Sequence, residues 1–316
     1  MSFGLSMRIV VLAVFLAVPF YAHAQSLKLE GKDKPIDVTA EQGFELQQDN
    51  KRVIARGNAK AVQGDVTVTS DELTADYRQK ADGGNEVYRV FASGNVTMKS
   101  NSETATGDTA VYDFDKGVLV MEGKVVTLVN PEGSVTAKRA LQYWSNERVA
   151  VAEGSAMAVD KQNRKLYGDK LIAFFREDQD AGTTSGAKKT SSVALPQGQG
   201  DITLLQGFGN VRMETEKEIV RGERGTYNID TGIATLDGGV KITQNNSEVS
   251  GGFAVVNVKG GTSHIYQSAK QAGMQGVKEN GRVSALMAPK SKQDSDAAPS
   301  AAPTAQGSPA QGKGQK

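Results

Sequence analysis

Few side chains in this 316-residue chain could do covalent or metal chemistry. It holds no cysteine, so it offers no disulfide, thiolate metal ligand or cysteine nucleophile. Its two histidines are His23, inside an N-terminal apolar segment, and His264, after Gly260-Gly261-Thr262-Ser263. One histidine at a turn entering a strand cannot build a histidine-rich metal site, and any hydrolytic triad would have to use it. Acidic residues are plentiful, among them Asp108, Asp113 and Asp115, but they alternate with apolar positions and so face solvent in the simplest strand arrangement. Paired carboxylates for glycoside hydrolysis stay open on sequence alone. No glycine cluster precedes a Lys-Ser or Lys-Thr pair at the spacing of a phosphate loop. The expectation is a protein that is not an enzyme and uses neither cofactor nor metal.

The elements that would position these groups lie between two dispensable ends. Arg8, the apolar run Ile9 to Phe20 and Ala22-His23-Ala24 have the order of a cleaved export signal, assigned to residues 1–24. The run is far short of the ~20 apolar residues that cross a bilayer. Residues 288–316 are rich in Pro, Ala, Ser, Gln and Gly and have little to bury, which predicts a disordered tail. The folded region is then 25–287. Removing 1–24 takes away Arg8 and leaves 36 basic against 36 acidic side chains, a balance that argues against a nucleic-acid partner.

Within the folded region the glycines recur. Gly57-Asn58, Gly94-Asn95 and Gly209-Asn210 occupy the same place in three alternating strands, and Gly123, Gly154 and Gly238 head looser copies. Several of these markers fall about thirty residues apart, a solenoid-like period. Partner strands begin at Gly107-Asp108, Gly168-Asp169 and Gly222-Glu223, where apolar residues recur every second position. About six two-strand repeats are expected. A polar stretch, about 176–201, interrupts them as an inserted loop or as a linker between two repeat domains.

Alternation points one set of side chains inward. First strands contribute Val96, Met98, Val125, Val211, Met213, Val240 and Ile242; second strands contribute Ala110, Tyr112, Phe114, Leu171, Phe175, Tyr227 and Ile229. As plain core residues they need no function. Two sheets of this composition could close as a sandwich or splay around an apolar groove. Asn58, Asn95 and Asn210 sit beside turn-permitting glycines, so a backbone role is the expectation for them.

The Gly-Asn-Val strand, its Gly-Asp partner with alternating Ala and Tyr, and the export signal resemble the OstA-like domain of the LptA family of lipopolysaccharide-transport periplasmic bridge proteins. The resemblance covers Val53 to Tyr266. It implies an all-β fold, a twisted, taco-shaped β-jellyroll, located in the periplasm, whose interior residues shelter the acyl chains of lipid A. It also implies partners: lipopolysaccharide, inner- and outer-membrane transport components reached by edge-strand addition, and head-to-tail self-association. The strands around Ile36 to Leu46 and Phe253 to Val258, weakly protected by charge, are the expected edges. The polar insertion and the tail depart from a compact family member. A ligand-free structural β-solenoid of the envelope is the alternative, and a polysaccharide-degrading β-solenoid a more distant one.

Overall fold

The computed structural model describes residues 25–30, 35–81, 83–176, 202–216, 218–244, 247–274 and 283–286. The expected signal at 1–24, the polar insertion beyond Arg176 and the tail at 288–316 lie outside the described residues. Every regular element described is a β-strand, and the strands form one antiparallel ladder.

The ladder opens with β1 (Gln25–Glu30), β2 (Pro35–Ala40) and β3 (Gly43–Gln47). Four long strands follow: β4 (Arg52–Gln63), β5 (Val66–Gln79), β6 (Asn85–Lys99) and β7 (Thr104–Asp113). Next come short ones, β8 (Val118–Glu122), β9 (Val126–Asn130), β10 (Gly133–Ala137) and β11 (Ala140–Trp144). The strands lengthen again in β12 (Val149–Asp160), β13 (Lys165–Phe175), β14 (Ile202–Glu214), β15 (Glu218–Asn228), β16 (Ile233–Gln244) and β17 (Ser247–Asn257). The ladder ends in β18 (Thr262–Tyr266) and β19 (Ser284–Leu286).

The marker glycines are bends. At Gly94-Asn95 the φ angles are +77° and +50°, and these two residues of β6 oppose the single Asp108 of β7. Gly57-Asn58, Gly154-Ser155, Gly209-Asn210 and Gly238-Gly239 repeat the arrangement, each with two consecutive positive φ angles and a register shift. A bulge of this kind kinks the strand and raises its twist, so each long strand contributes to two half-sheets. The asparagines also tie neighbouring rungs together: Asn95 Nδ2 donates to Asp71 at 2.9 Å, and Asn210 Nδ2 to Asp169 at 2.9 Å. At the sixth marker, Gly123, the rung instead breaks into β8 and β9, and the next breaks into β10 and β11.

The two half-sheets face one another. One cluster joins Ala55, Leu73, Ala92 and Tyr112, before or beyond the bends in one half, with Ala59, Val96 and Met98 in the other. A second gathers Val220, Leu236, Val240, Ala254 and Val256 at the C-terminal end, and a third holds Ala137, Ala152, Ala156 and Leu171 between them. The result is an all-β, twisted jellyroll.

The edge assignment needs correction. Phe253–Asn257 is covered by β18, because the Gly260-Gly261 turn, with φ +66° at Gly261, returns the chain along β17. Likewise β2 lies between β1 and β4, leaving β3 paired with β4 alone. The described edges are β1 and β3 at one end and β18 and β19 at the other.

Candidate functional site

Where the half-sheets part, between the first and third clusters and toward the second, they enclose an apolar cavity of ≈ 380 Å³. Its walls come from β9, β10 and β11 through Leu128, Val135, Leu141 and Tyr143, and from β12, β13 and β14 through Ala152, Ala158, Leu166, Leu171, Ala173, Leu205 and Met213. Tyr227 and Val258 line it as well. Small side chains on β12 and β13 leave the space unfilled, and the broken rungs β8/β9 and β10/β11 loosen the link between the half-sheets beside it. Tyr143 meets Phe175 edge to face, with ring centroids 6.1 Å apart.

Polar groups collect where the strands reach their hairpins. Asn130, Glu132, Asp160, Arg164 and Lys165 border the cavity there. Arg164 bonds Asp160 at 2.6 Å and Lys161 bonds Glu132 at 2.7 Å, so both carboxylates of this rim are paired. Just behind it Glu103 is buried; Asn130 Nδ2 donates to its Oε1 at 3.4 Å, while Oε2 has no partner. Burial pushes its carboxyl above the ordinary range. Burial likewise raises the Tyr112 phenol.

The residues singled out from the sequence divide by position. Leu171, Met213 and Tyr227 line the cavity. Met98, Ala110 and Tyr112 border a void of ≈ 50 Å³ farther toward the N-terminus. Val96, Phe114, Val211, Val240 and Ile242 are buried in packed core, and Phe175 and Ile229 are half-buried. Val125 corrects the expectation: it is 57 % exposed, because its rung breaks at Gly123 and restarts at Val126, which is fully buried. A one-residue slip inverts the face. The walls from β9 to β11 were missed because those strands lack a Gly-Asn marker. The alternation Val126/Leu128, Val135/Ala137 and Leu141/Tyr143 was the available signal.

The groups considered for catalysis are dispersed. His264 is exposed and stacks on Tyr266. Asp113 pairs with Arg89 at 2.9 Å, Asp115 with Arg78 at 2.7 Å, and Asp108 accepts the Lys124 amide. Among the described residues no group of three or more acidic or histidine side chains could hold a metal, and no helix is long and apolar enough to cross a membrane. The arrangement suits shelter of an apolar ligand.

The chain is similar to known proteins over parts of its length. An uncharacterized protein of Rhizobium meliloti (strain 1021) is 29% identical over 126 residues, 37% of this chain, which thereby spans 66% of the relative's length. LptH of Pseudomonas aeruginosa, described as the LptA homologous periplasmic component of the lipopolysaccharide transport device, aligns over 49% of this chain and 92% of its own at 16% identity, with a TM-score of 0.21. Residues 37–148 match the family model of the LptA/LptD N-terminal domain lipopolysaccharide transport proteins. That match spans β2 to β11, including the bends at Gly57 and Gly94, so this part of the chain is similar to the LptA/LptD N-terminal domain.

Proposed function

We propose that this chain is a periplasmic, non-catalytic carrier in lipopolysaccharide transport, which shelters acyl chains of lipid A and passes the lipid along edge-joined β modules between the inner and outer membranes. The supporting observation is the ≈ 380 Å³ apolar cavity adjoining a region that matches the family model. Its volume falls in the ~300–1,000 Å³ range of small-molecule sites. Each methylene taken from water into such a space contributes ~0.8 kcal/mol, so an acyl chain is held without covalent chemistry. Module joining draws support from β3, an edge strand whose Leu46 is 57 % exposed on the row that continues inward through Val53. Strand addition at β3 or β18 would satisfy the free backbone groups and extend the apolar path.

A ligand-free structural array is the second reading, favoured by the N-terminal voids of only ≈ 30 and ≈ 50 Å³. Adjacent residues separate the two. Met213 lines the cavity, whereas Arg212 lies over the Tyr167 ring at 4.2 Å. A photo-crosslinking residue at Met213 should capture lipopolysaccharide in cells, and one at Arg212 should not. Equal capture at both positions would defeat the carrier reading, as would native mass spectra of envelope-purified protein with no bound lipid.

A further inference from the structure

The charged residues of the cavity lining sit on one lip. Glu132, Asp160, Arg164 and Lys165 all belong to the two hairpins that join β9 to β10 and β12 to β13, in the turns or at the strand ends beside them. Asn130, Ser134 and Thr215 add uncharged polar groups at the same strand ends. The rest of the lining carries no charge. Toward the opposite strand ends it runs through Tyr143, Ala173, Leu205 and Ile202, with the amides of Gln142 and Gln206. A space that is charged at one margin and apolar elsewhere is the complement of an amphiphile.

The charges of the lip are unequally occupied. Asp160 is saturated by its own hairpin: Oδ1 accepts the Gln162 and Arg164 amides at 2.9 Å each, and Oδ2 accepts from the Arg164 guanidinium at 2.6 Å. Glu132 accepts from Lys161. Opposite Lys165 in the ladder stands Glu214, but Arg212 holds its Oε1 at 2.9 Å and the Tyr167 hydroxyl donates to its Oε2 at 3.2 Å. Arg212 is kept there by lying over the Tyr167 ring. On the β12 side the neighbour of Lys165 is Val159, whose side chain accepts nothing. Every carboxylate of this neighbourhood is therefore engaged elsewhere, and among the described residues Lys165 has no ion pair although it is half-buried. Glu103, behind the lip, is held toward its neutral form by burial, which weakens the repulsion it would offer an anion. A half-buried ammonium beside apolar space calls for an opposite charge in place of the water it has lost.

We propose that Lys165 selects and orients the ligand: its ammonium binds the anionic group, phosphate or carboxylate, of an amphiphile whose acyl chain lies against Leu166, Leu171 and Met213. Arg164, the preceding residue, shares the anion through guanidinium N–H groups that Asp160 leaves free. With the head at this lip, the tail runs toward Tyr143 and Leu205. The inference rests on the carrier reading of the cavity and deepens it, because that reading concerns the acyl chains and this one concerns the head.

Isothermal titration calorimetry on the full chain at low ionic strength tests it. The probes share one chain length and are used below their micelle thresholds: dodecyl phosphate, dodecanoate and the uncharged dodecyl maltoside, with inorganic phosphate as the head alone. Both anionic amphiphiles should bind ~10-fold more tightly than the maltoside, and inorganic phosphate far more weakly than dodecyl phosphate. Lys165→Gln should abolish the preference for anionic heads and leave maltoside affinity unchanged, while Lys165→Arg should keep it. Lys60→Gln, at an exposed cation of β4, should change nothing. Added salt should shrink the preference. Equal affinity for charged and uncharged probes, a preference that survives Lys165→Gln, or inorganic phosphate bound as tightly as dodecyl phosphate would overturn the assignment and leave the cavity as a lipid site. If no amphiphile binds at all, the carrier reading falls and this inference with it.

Discussion

The N-terminal rungs β4 to β7 are long strands bent at Gly57 and Gly94, whereas the middle region β9 to β14 joins the short strands of two broken rungs to strands bent at Gly154 and Gly209; the first region is packed and the second is hollow. In the first, Leu73, Met98, Tyr112 and Phe114 fill the space between the half-sheets and leave voids of ≈ 30 and ≈ 50 Å³. At that end β1 approaches β6 directly although β2, β4 and β5 separate them in the ladder. In the second, alanines at 152, 158 and 173 stand where larger side chains would meet, and the space opens to ≈ 380 Å³. Repetition of a bend therefore specifies a pair of facing sheets. The summed volume of the inward side chains decides whether that pair becomes a core or a channel.

The sharpest test of this contrast is paired truncation. Phe114 is buried and meets Tyr112 edge to face at 4.7 Å. Phe114→Ala should cost ~3–5 kcal/mol, the usual range for a large core side chain. Leu166→Ala, at a wall already facing empty volume, should cost only ~1 kcal/mol. Urea unfolding monitored by circular dichroism would compare them; equal losses would mean that the central region is as packed as the N-terminal one.

A smaller difference is expected among the bends. At Gly94 a Cβ would lie 2.1 Å from an Asp71 carboxylate oxygen, on a backbone with φ +77°. Gly239 has φ +58° and nothing near. Gly94→Ala should cost ~2–3 kcal/mol and release the Asn95–Asp71 bond, whereas Gly239→Ala should carry only the ~1 kcal/mol of the left-handed conformation. Equal melting temperatures for the two variants would remove the close-approach argument.

The smallest effect concerns Glu103, at the boundary of the two regions. Burial raises its carboxyl in the folded state, so folding favours the protonated form. That stability is complete below the unfolded value and is lost as pH rises through the folded one. Glu103→Gln removes the penalty, so at pH 7 it should raise the melting temperature by about 2–4 °C, equivalent to ~1 kcal/mol. The gain should vanish below pH ~4.5. A gain that persists at low pH would assign the effect to packing instead of charge.

Much of the repeat was legible in the chain. Consecutive positive φ angles at Gly-Asn are a local demand, and alternation around Gly94 and Gly209 correctly placed Val96, Met98, Val211 and Met213 on the inner side. The same reasoning failed at Val125, where the rung breaks, and it overlooked Leu128, Val135, Leu141 and Tyr143, whose strands carry no marker. It also took Phe253 to Val258 for an edge, since it read a turn entering a strand at His264 without pairing that strand back onto β17.

By itself the sequence determined what each residue's own backbone and neighbours impose: an all-β chain of alternating strands with a turn-permitting glycine at each Gly-Asn. Only the tertiary structure decided which rungs break, which strands end the ladder, and where the half-sheets part. The physical reason is separation along the chain. Leu128 and Met213 meet the same cavity from strands far apart in sequence, and the volume left between them is set by every side chain that faces it, a sum that no local pattern contains.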